Sequence, residues 1–301
     1  MENKNVIEII EFTDPVCTWC WGSEPVLRKL ETVYEGNIKI SFVMGGLVKD
    51  IRQFNDSANG IGGSPEASNR MVASHWDEAS QVHGMPVNSK DFNLFSDDHP
   101  STYPLNIAYK AVQLVDEELA NIYLRLLREE TIANGRKTNR KEVLIELAND
   151  VGVDIVGFIE RLEDGSAEAA FNEDLKMTSA YWVMGFPAFL IRYHEKELLL
   201  RGFQSFERIN KVISSMTKGE VLPKEIKVSE KEILAFVARY NRVAPIEIQT
   251  TFNLSAEETN KYIISLINKK ILKKIEMGNG YFVSIIDDLI CDPVTGICTC
   301  L

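Results

Sequence analysis

The sequence is sparing with cysteine, holding five in 301 residues. That is too few, and too unevenly spread, for the disulfide framework of a small secreted domain. It also lacks an excess of positive charge: Lys and Arg total 33 against 44 Asp and Glu, a net of −11. A general nucleic-acid binder needs the opposite balance, because its affinity comes from displacing counterions around phosphates. No run approaches the roughly 20 apolar residues that a membrane helix requires. The opening MENKNVIEIIEF has no basic region followed by an apolar segment and a small-residue cleavage site, so it does not read as a signal peptide. A cytoplasmic setting is therefore expected, where most thiols stay reduced. What remains is the balance of a globular chain, 45% apolar and 26% charged, long enough for one large domain or two ordinary ones.

Residues 6–12 form an Ile- and Val-rich run, expected to be a buried strand. A turn at Thr13-Asp14-Pro15 leads into a helical pattern carrying Val26, Leu30 and Val33, which ends at Gly36-Asn37. Residues 38–43 alternate and read as a second strand, giving the strand–helix–strand core of an α/β unit. Residues 50–100 are polar and rich in Gly, Asn and Ser, and read as loops. Helical stripes follow over 104–164, with Asn139 and Glu142 resembling a capping box and Asp154 placed to cap another helix. A further helix spans about 166–183. Strands at 187–192 and 198–200 and a helix after Ser205 complete this part. Beyond a polar stretch around Pro223, Ser229 with Glu232 and Ser255 with Glu258 mark two helix starts. A short helix lies between them, and a Gly-rich hairpin follows. Three helices plus a hairpin is a winged-helix pattern.

The chemistry concentrates at Cys17-Thr18-Trp19-Cys20, just after a strand and at a helix start. A helix N-terminus presents unpaired N–H groups and a partial positive charge, both of which favour a thiolate. Cys17 is thus the expected nucleophile, and Cys20, one turn further in, can attack the resulting mixed disulfide. A lone CxxC is also half of a zinc site, but no second CxxC supplies partners and the four histidines are scattered. Glu11 lies in the otherwise apolar first strand, where it reads either as an exposed edge residue or as a buried proton acceptor for Cys20. Pro187, after Met184-Gly185-Phe186, would in a cis peptide place the Phe186 backbone against the sulfurs, open to an incoming peptide.

Asp14-Pro15-Val16-Cys17-Thr18-Trp19-Cys20-Trp21-Gly22, the long helical segment and Gly185-Phe186-Pro187-Ala188-Phe189 together resemble the DsbA family. Within it, the sequence is similar to the predicted protein-disulfide isomerases of the FrnE-like branch. The resemblance covers roughly residues 5–217. It implies an α/β, thioredoxin-like fold with an inserted α-helical domain, here followed by the winged-helix-like module. It implies Cys17 as nucleophilic, Cys20 as resolving and Pro187 as the cis proline, and Glu11 has the spacing of the family's buried acid. Ser101-Thr102-Tyr103-Pro104 resembles the start of an inserted helix near the active site of FrnE-like relatives. The intervening dipeptide is Thr-Trp rather than the Pro-His of the strongly oxidising periplasmic enzymes, so the thiolate-stabilising histidine is missing from it. Trp19 and Trp21 flank Cys20 and read either as a surface for apolar peptide or as core.

The expected organisation is a DsbA-like domain over 1–222 with its helical insertion at about 55–180. A winged-helix-like module follows at 223–286, then a flexible cysteine-containing tail at 287–301. Cys291, Cys298 and Cys300 in that tail read as a redox arm, as metal-binding thiolates, or as thiols without a dedicated role. Lys269, Lys270, Lys273 and Lys274 cluster at the hairpin, where a charge run usually marks a solvated face. The expected function is thiol–disulfide exchange of the protein disulfide reductase or isomerase type, on protein or peptide thiols and disulfides. It needs a redox-active disulfide and no other cofactor or metal. Neither membrane nor nucleic acid is an expected partner, and the C-terminal module suits a protein contact. The alternative comes from a related cytoplasmic group with the same domain order and a similar length. Its members are adaptors that deliver a transcription regulator to the ClpXP protease.

Overall fold

Strand β1 (Ile7–Thr13) is buried on both faces, with only Glu8 exposed. Burial on both faces is what a central strand of a covered sheet requires. The computed structural model describes residues 5–90, 92–287 and 289–300. Helix α1 (Thr18–Val33) returns the chain to β2 (Ile38–Met44), which pairs parallel with β1. On the other side β1 pairs antiparallel with β5 (Ala188–Tyr193), and β5 with β6 (Lys196–Arg201), for a sheet order of β2-β1-β5-β6. One face packs Ile9, Leu27, Leu30, Phe189 and Ile191 against α8 (Phe206–Thr217), whose N-cap is Ser205. This is a thioredoxin-like sheet.

The chain between β2 and β5 forms the helical insertion. A small hairpin, β3 (Asn55–Asp56) with β4 (Ile61–Gly62), precedes α2 (Pro65–His83). After α3 (Tyr103–Val115) and α4 (Glu117–Arg128), a π-helical turn covers Glu129–Ala133. The insertion ends with α5 (Lys141–Asp150), α6 (Ile155–Glu163) and α7 (Ser166–Ala180). The 19-residue helix α2 corrects the expectation of loops over 50–100. Its buried positions, including Ser68, Asn69, Val72, Trp76, Ala79, Ser80 and His83, recur at helical spacing, but half of them are polar. An apolar stripe therefore does not show there. Asn139 is no helix cap either: Arg140 is the N-cap of α5, and the Asn139 amide donates to the carbonyls of His99 and Ser101.

From residue 230 come α9 (Glu230–Tyr240), α10 (Pro245–Phe252), α11 (Ala256–Asn268) and a hairpin of β7 (Leu272–Met277) and β8 (Gly280–Ile285). They share a core of Ile233, Val237, Ile248, Ile263, Leu266 and Val283. The module is nevertheless packed into the rest of the protein. Helix α10 lies on α1, where Lys29 Nζ donates to Asn253 Oδ1 at 2.6 Å. Phe282 joins the insertion's core 6.2 Å from the Trp21 ring. The hairpin turn sits on the segment after α2, where Asn279 N donates to Val87 O at 2.8 Å. A Cβ at Gly278 would meet that same carbonyl at 2.3 Å, so the turn needs glycine.

The tail carries a hairpin of its own. Strand β9 (Leu289–Cys291) pairs with β10 (Cys298–Cys300), and a disulfide joins Cys291 to Cys298. The Asp292 carboxylate accepts the backbone N–H groups of Val294 and Thr295, as short turns favour. Gly296, at φ 64°, leaves room for Lys231 O, 2.2 Å from where a Cβ would lie. The side chain of Cys300 lies outside the described residues.

Candidate active site

Asp14 organises the approach to the thiols. Its buried carboxylate accepts from Val16 N, Leu47 N, Thr102 Oγ1 and Asn106 Nδ2 at 2.8–2.9 Å. Four donors on one carboxylate clip the turn before α1 to the segment after β2 and to the start of α3. Cys17 then occupies the N-cap of α1 in an extended conformation, and its Sγ accepts Cys20 N at 3.3 Å. Both thiols are free and buried.

The Phe186–Pro187 peptide is cis. It brings Phe186 O to 3.5 Å from Cys17 Sγ, across 169 residues of sequence. The Phe186 ring fills the space above Gly45, where a Cβ would come within 1.9 Å of its Cζ. Gly45 is thus the residue that lets Phe186 reach the cysteine.

Behind the pair, Glu11 is fully buried, which settles its placement in favour of the interior. Its Oε2 meets Arg128 Nη2 at 3.1 Å, while Oε1 has no hydrogen-bond partner. Burial pushes its carboxyl up to about 7, outweighing the pull of Arg128 in the other direction, and the Glu24 charge adds to the rise. Burial also pushes the Cys20 thiol well above its ordinary value, with further contributions from Cys17 and from the negative charge of Glu11. At neutral pH, then, Cys20 keeps its proton while Glu11 is near half-titration. Glu11 and Cys20 therefore face each other as two buried groups, each raised above its ordinary value.

The two tryptophans separate. Trp19 stays half-exposed, donating to His75 Nε2 at 3.2 Å and resting near His83 and Phe203. Trp21 is fully buried, donates to Pro86 O at 2.8 Å and lies under the Arg125 guanidinium. It offers no surface to a peptide, which corrects its expected substrate-binding role. Its burial has a geometric reason: residues two apart on a helix point to nearly opposite sides.

Sequence reading did not find the histidines around the dipeptide. Met85 N donates to His83 Nδ1, so Nε2 carries the proton and donates to Thr18 Oγ1 at 3.2 Å. Burial lowers His83 to about 4, which keeps it neutral. His75 and His83 both come from α2, the helix hidden by its polar composition. Reading likewise missed Arg128 and Glu24, joined at 2.6 Å, and the exposed side chains of Trp182 and Met184 in the segment leading to Phe186.

A cleft of about 620 Å³ opens at Cys17. Trp19, Gly45, His75, Trp76, Met184 and Phe186 line it, placing it between the sheet and the insertion. Cys291 and Cys298 are bonded to each other, so they supply no thiolates for a metal. Three of the four hairpin lysines are held by acidic partners: Lys269 by Glu230, Lys273 by Asp287 and Lys274 by Glu276. Among the described residues no helix is long and apolar enough to cross a membrane.

The family model Thioredoxin_5, described as thioredoxin, matches residues 11–211. A protein of Halalkalibacterium halodurans named ClpXP adapter protein SpxH is 26% identical over 286 residues, covering 93% of this chain and 89% of that protein. Its namesake in Bacillus subtilis is 27% identical over 285 residues, with the same coverage. Among solved structures, a proposed protein disulfide isomerase from Nitrosomonas europaea superposes with a TM-score of 0.60 at 16% identity, over 71% of this chain and 99% of its own. The cytosolic disulfide reductase DsbM of Pseudomonas aeruginosa gives 0.51 at 20% identity, over 71% of this chain and 92% of its own.

Proposed function

The chain belongs to the thioredoxin family, and from that premise we propose that it is a cytoplasmic adaptor that hands a partner protein to the ClpXP protease. One observation carries this reading. The likeness to the adapter relatives runs through 93% of the chain and so includes the C-terminal module, whereas the likeness to these solved disulfide enzymes covers 71–74% of it. The packing of that module supports it as well. An α10 seated on α1 and a hairpin seated on the insertion make one continuous body for a partner and a protease to meet on. The test is protein turnover in cells with and without this chain, each with active and inactivated ClpX. A client loses its rapid decay when either is removed, and inactivating both adds nothing further. If no protein's half-life depends jointly on the two, the adaptor reading fails.

A second reading, thiol–disulfide exchange at Cys17 and Cys20, is favoured by the meeting of four elements: the N-cap thiol, the Phe186 carbonyl, the buried second thiol and the acid behind it. In that chemistry the Cys17 thiolate attacks one sulfur of a substrate disulfide. A mixed disulfide forms and the other substrate sulfur leaves as a thiolate that takes a proton. Cys20 passes its proton to Glu11 and attacks Cys17 Sγ. The second substrate sulfur leaves, and the Cys17–Cys20 disulfide holds the two electrons' worth of oxidation. The Phe186 backbone offers an edge on which an extended peptide can pair, and no further cofactor is needed. Insulin reduction tests it: wild type is active and Cys17→Ala is not. The joint variant Cys17→Ala/Cys20→Ala separates the readings, because it keeps adaptor function and loses exchange.

A further inference from the structure

The active-site acid does not end at Arg128. Arg128 Nη1 meets Glu24 at 2.6 Å, and Glu24 meets Arg125 Nη1 at 3.5 Å. Arg125 forks onto Glu247 with contacts of 3.1 and 3.2 Å, and Arg28 closes on the same carboxylate at 2.7 Å. Glu247 belongs to α10 of the C-terminal module and is fully buried, as is Arg128. Alternating charges thus run from beside Cys20 to the other module, away from bulk water. Inside a protein such contacts are far less screened than at the surface.

We propose that Glu247 is a positioning residue for the Glu11–Cys20 pair, acting through Arg125, Glu24 and Arg128. Its functional meaning rests on the thiol-exchange reading. The coupling itself is a property of the folded chain. Arg128 is shared between Glu11 and Glu24, and Arg125 among Glu24, Glu129 and Glu247, so a change at one end redistributes pairing along the row. Without the Glu247 charge, Arg125 turns to Glu24, and Glu24 loosens its hold on Arg128. Arg128 then gives more to Glu11, whose proton affinity falls. The charge left on Arg28 works in the same direction. At Glu11 itself, the charged or titratable groups that face it are Arg128, Glu24 and Cys20.

A branch predicts the opposite sign. Glu129 is held by Arg242, and Arg125 lies 3.7 Å away. Without Arg242, Glu129 draws Arg125 from Glu24, Glu24 holds Arg128 more tightly, and the proton affinity of Glu11 rises. Glu247 also accepts Ala244 N at 2.6 Å, as a residue closing its own helix start would. A purely structural role of that kind would loosen the fold without any such sign rule.

The experiment is a carbon-13 NMR titration of the Glu11 carboxyl in the full chain labelled at glutamate, with Glu11→Gln assigning the signal. Glu247→Gln lowers the proton affinity of Glu11 about tenfold, one unit of titration midpoint. Glu247→Asp restores most of it, and Arg242→Gln raises the affinity about threefold. The proposal is overturned if both charge-removing variants stay within about twofold of wild type, or if both shift the same way. Should Glu247→Gln not fold, Arg242→Gln decides alone, its side chain being 34% exposed. The Cys17–Cys20 equilibrium with glutathione is measured alongside. A wild type without a reversible couple ends the thiol-exchange reading, while the carboxyl titration still decides the coupling.

Discussion

The two cysteine pairs of this protein share their chemistry and differ in almost everything around it. Cys17 and Cys20 lie one helical turn apart, buried and free, with a carbonyl at the first sulfur and a charged row behind the second. Cys291 and Cys298 are seven residues apart and bonded, facing each other across a hairpin that rests on α9. The first pair has a buried acid behind it and a cleft in front of it; the second has a turn that holds it closed. Reactivity here is a property of the surroundings rather than of the thiol.

The largest effect that can break this comparison is on turnover. Cys17→Ala lowers disulfide reduction by a factor on the order of 10³ or more, whereas Cys291→Ser/Cys298→Ser leaves it within about twofold. Insulin reduction reads both, and a large loss in the second variant would mean that the tail takes part in exchange.

Next in size is Glu11→Gln, expected to slow the resolving step about 10²-fold by removing a proton acceptor. Trapping of the mixed disulfide measures it. In wild type the rate climbs through pH 7 as Glu11 gives up its proton, and the variant lacks that rise. Stability follows the same group. Its pKa goes from 4.5 to about 7 in the fold, so between those values the folded chain holds more protons than the unfolded one. Wild type therefore loses stability as pH rises from about 4.5 to about 7, on the order of 3 kcal/mol, and none further above it from this group. Denaturant unfolding of wild type and Glu11→Gln across that window checks the sign.

A pair of glycines sharpens the contrast at smaller cost. Gly45→Ala drives a methyl into the Phe186 ring, an overpacking worth about 1–3 kcal/mol, and impairs exchange. Gly296→Ala drives one into Lys231 O at the tail hairpin and leaves exchange unchanged. Thermal unfolding and insulin reduction on both variants test this. The most local effect is removal of the tail disulfide, which closes a short terminal loop and stabilises the hairpin by about 2 kcal/mol. Hydrogen exchange over 289–300 should show that loss, with the Cys17 region unaffected.

Much of the fold was legible because it is local. A strand, a turn with Pro15, a helix opened by a cysteine and a second strand follow one another within residues 7–44, and the residue pattern names each. The motif pair Cys17–Cys20, the acid in the strand and Phe186-Pro187 were likewise visible. Helix α2 was not, because its buried face is half polar, and with it His75 and His83 were lost. Trp19 and Trp21 looked alike in sequence, although helical geometry alone allows only one of them to face outward.

Sequence alone determined the sheet strands, the helix starts marked by Ser205, Ser229 and Ser255, and where two thiols fall on a helix N-terminus, since those depend on neighbours within a turn. Tertiary structure decided what surrounds the buried acid. Arg128 reaches Glu11 across 117 residues, and Glu247 reaches Arg125 across 122. It also decided that Cys291 pairs with Cys298 and that Trp21 is core. The reason is the same in each case: how strongly a buried group holds a charge or a proton depends on what the packed chain brings against it in place of water.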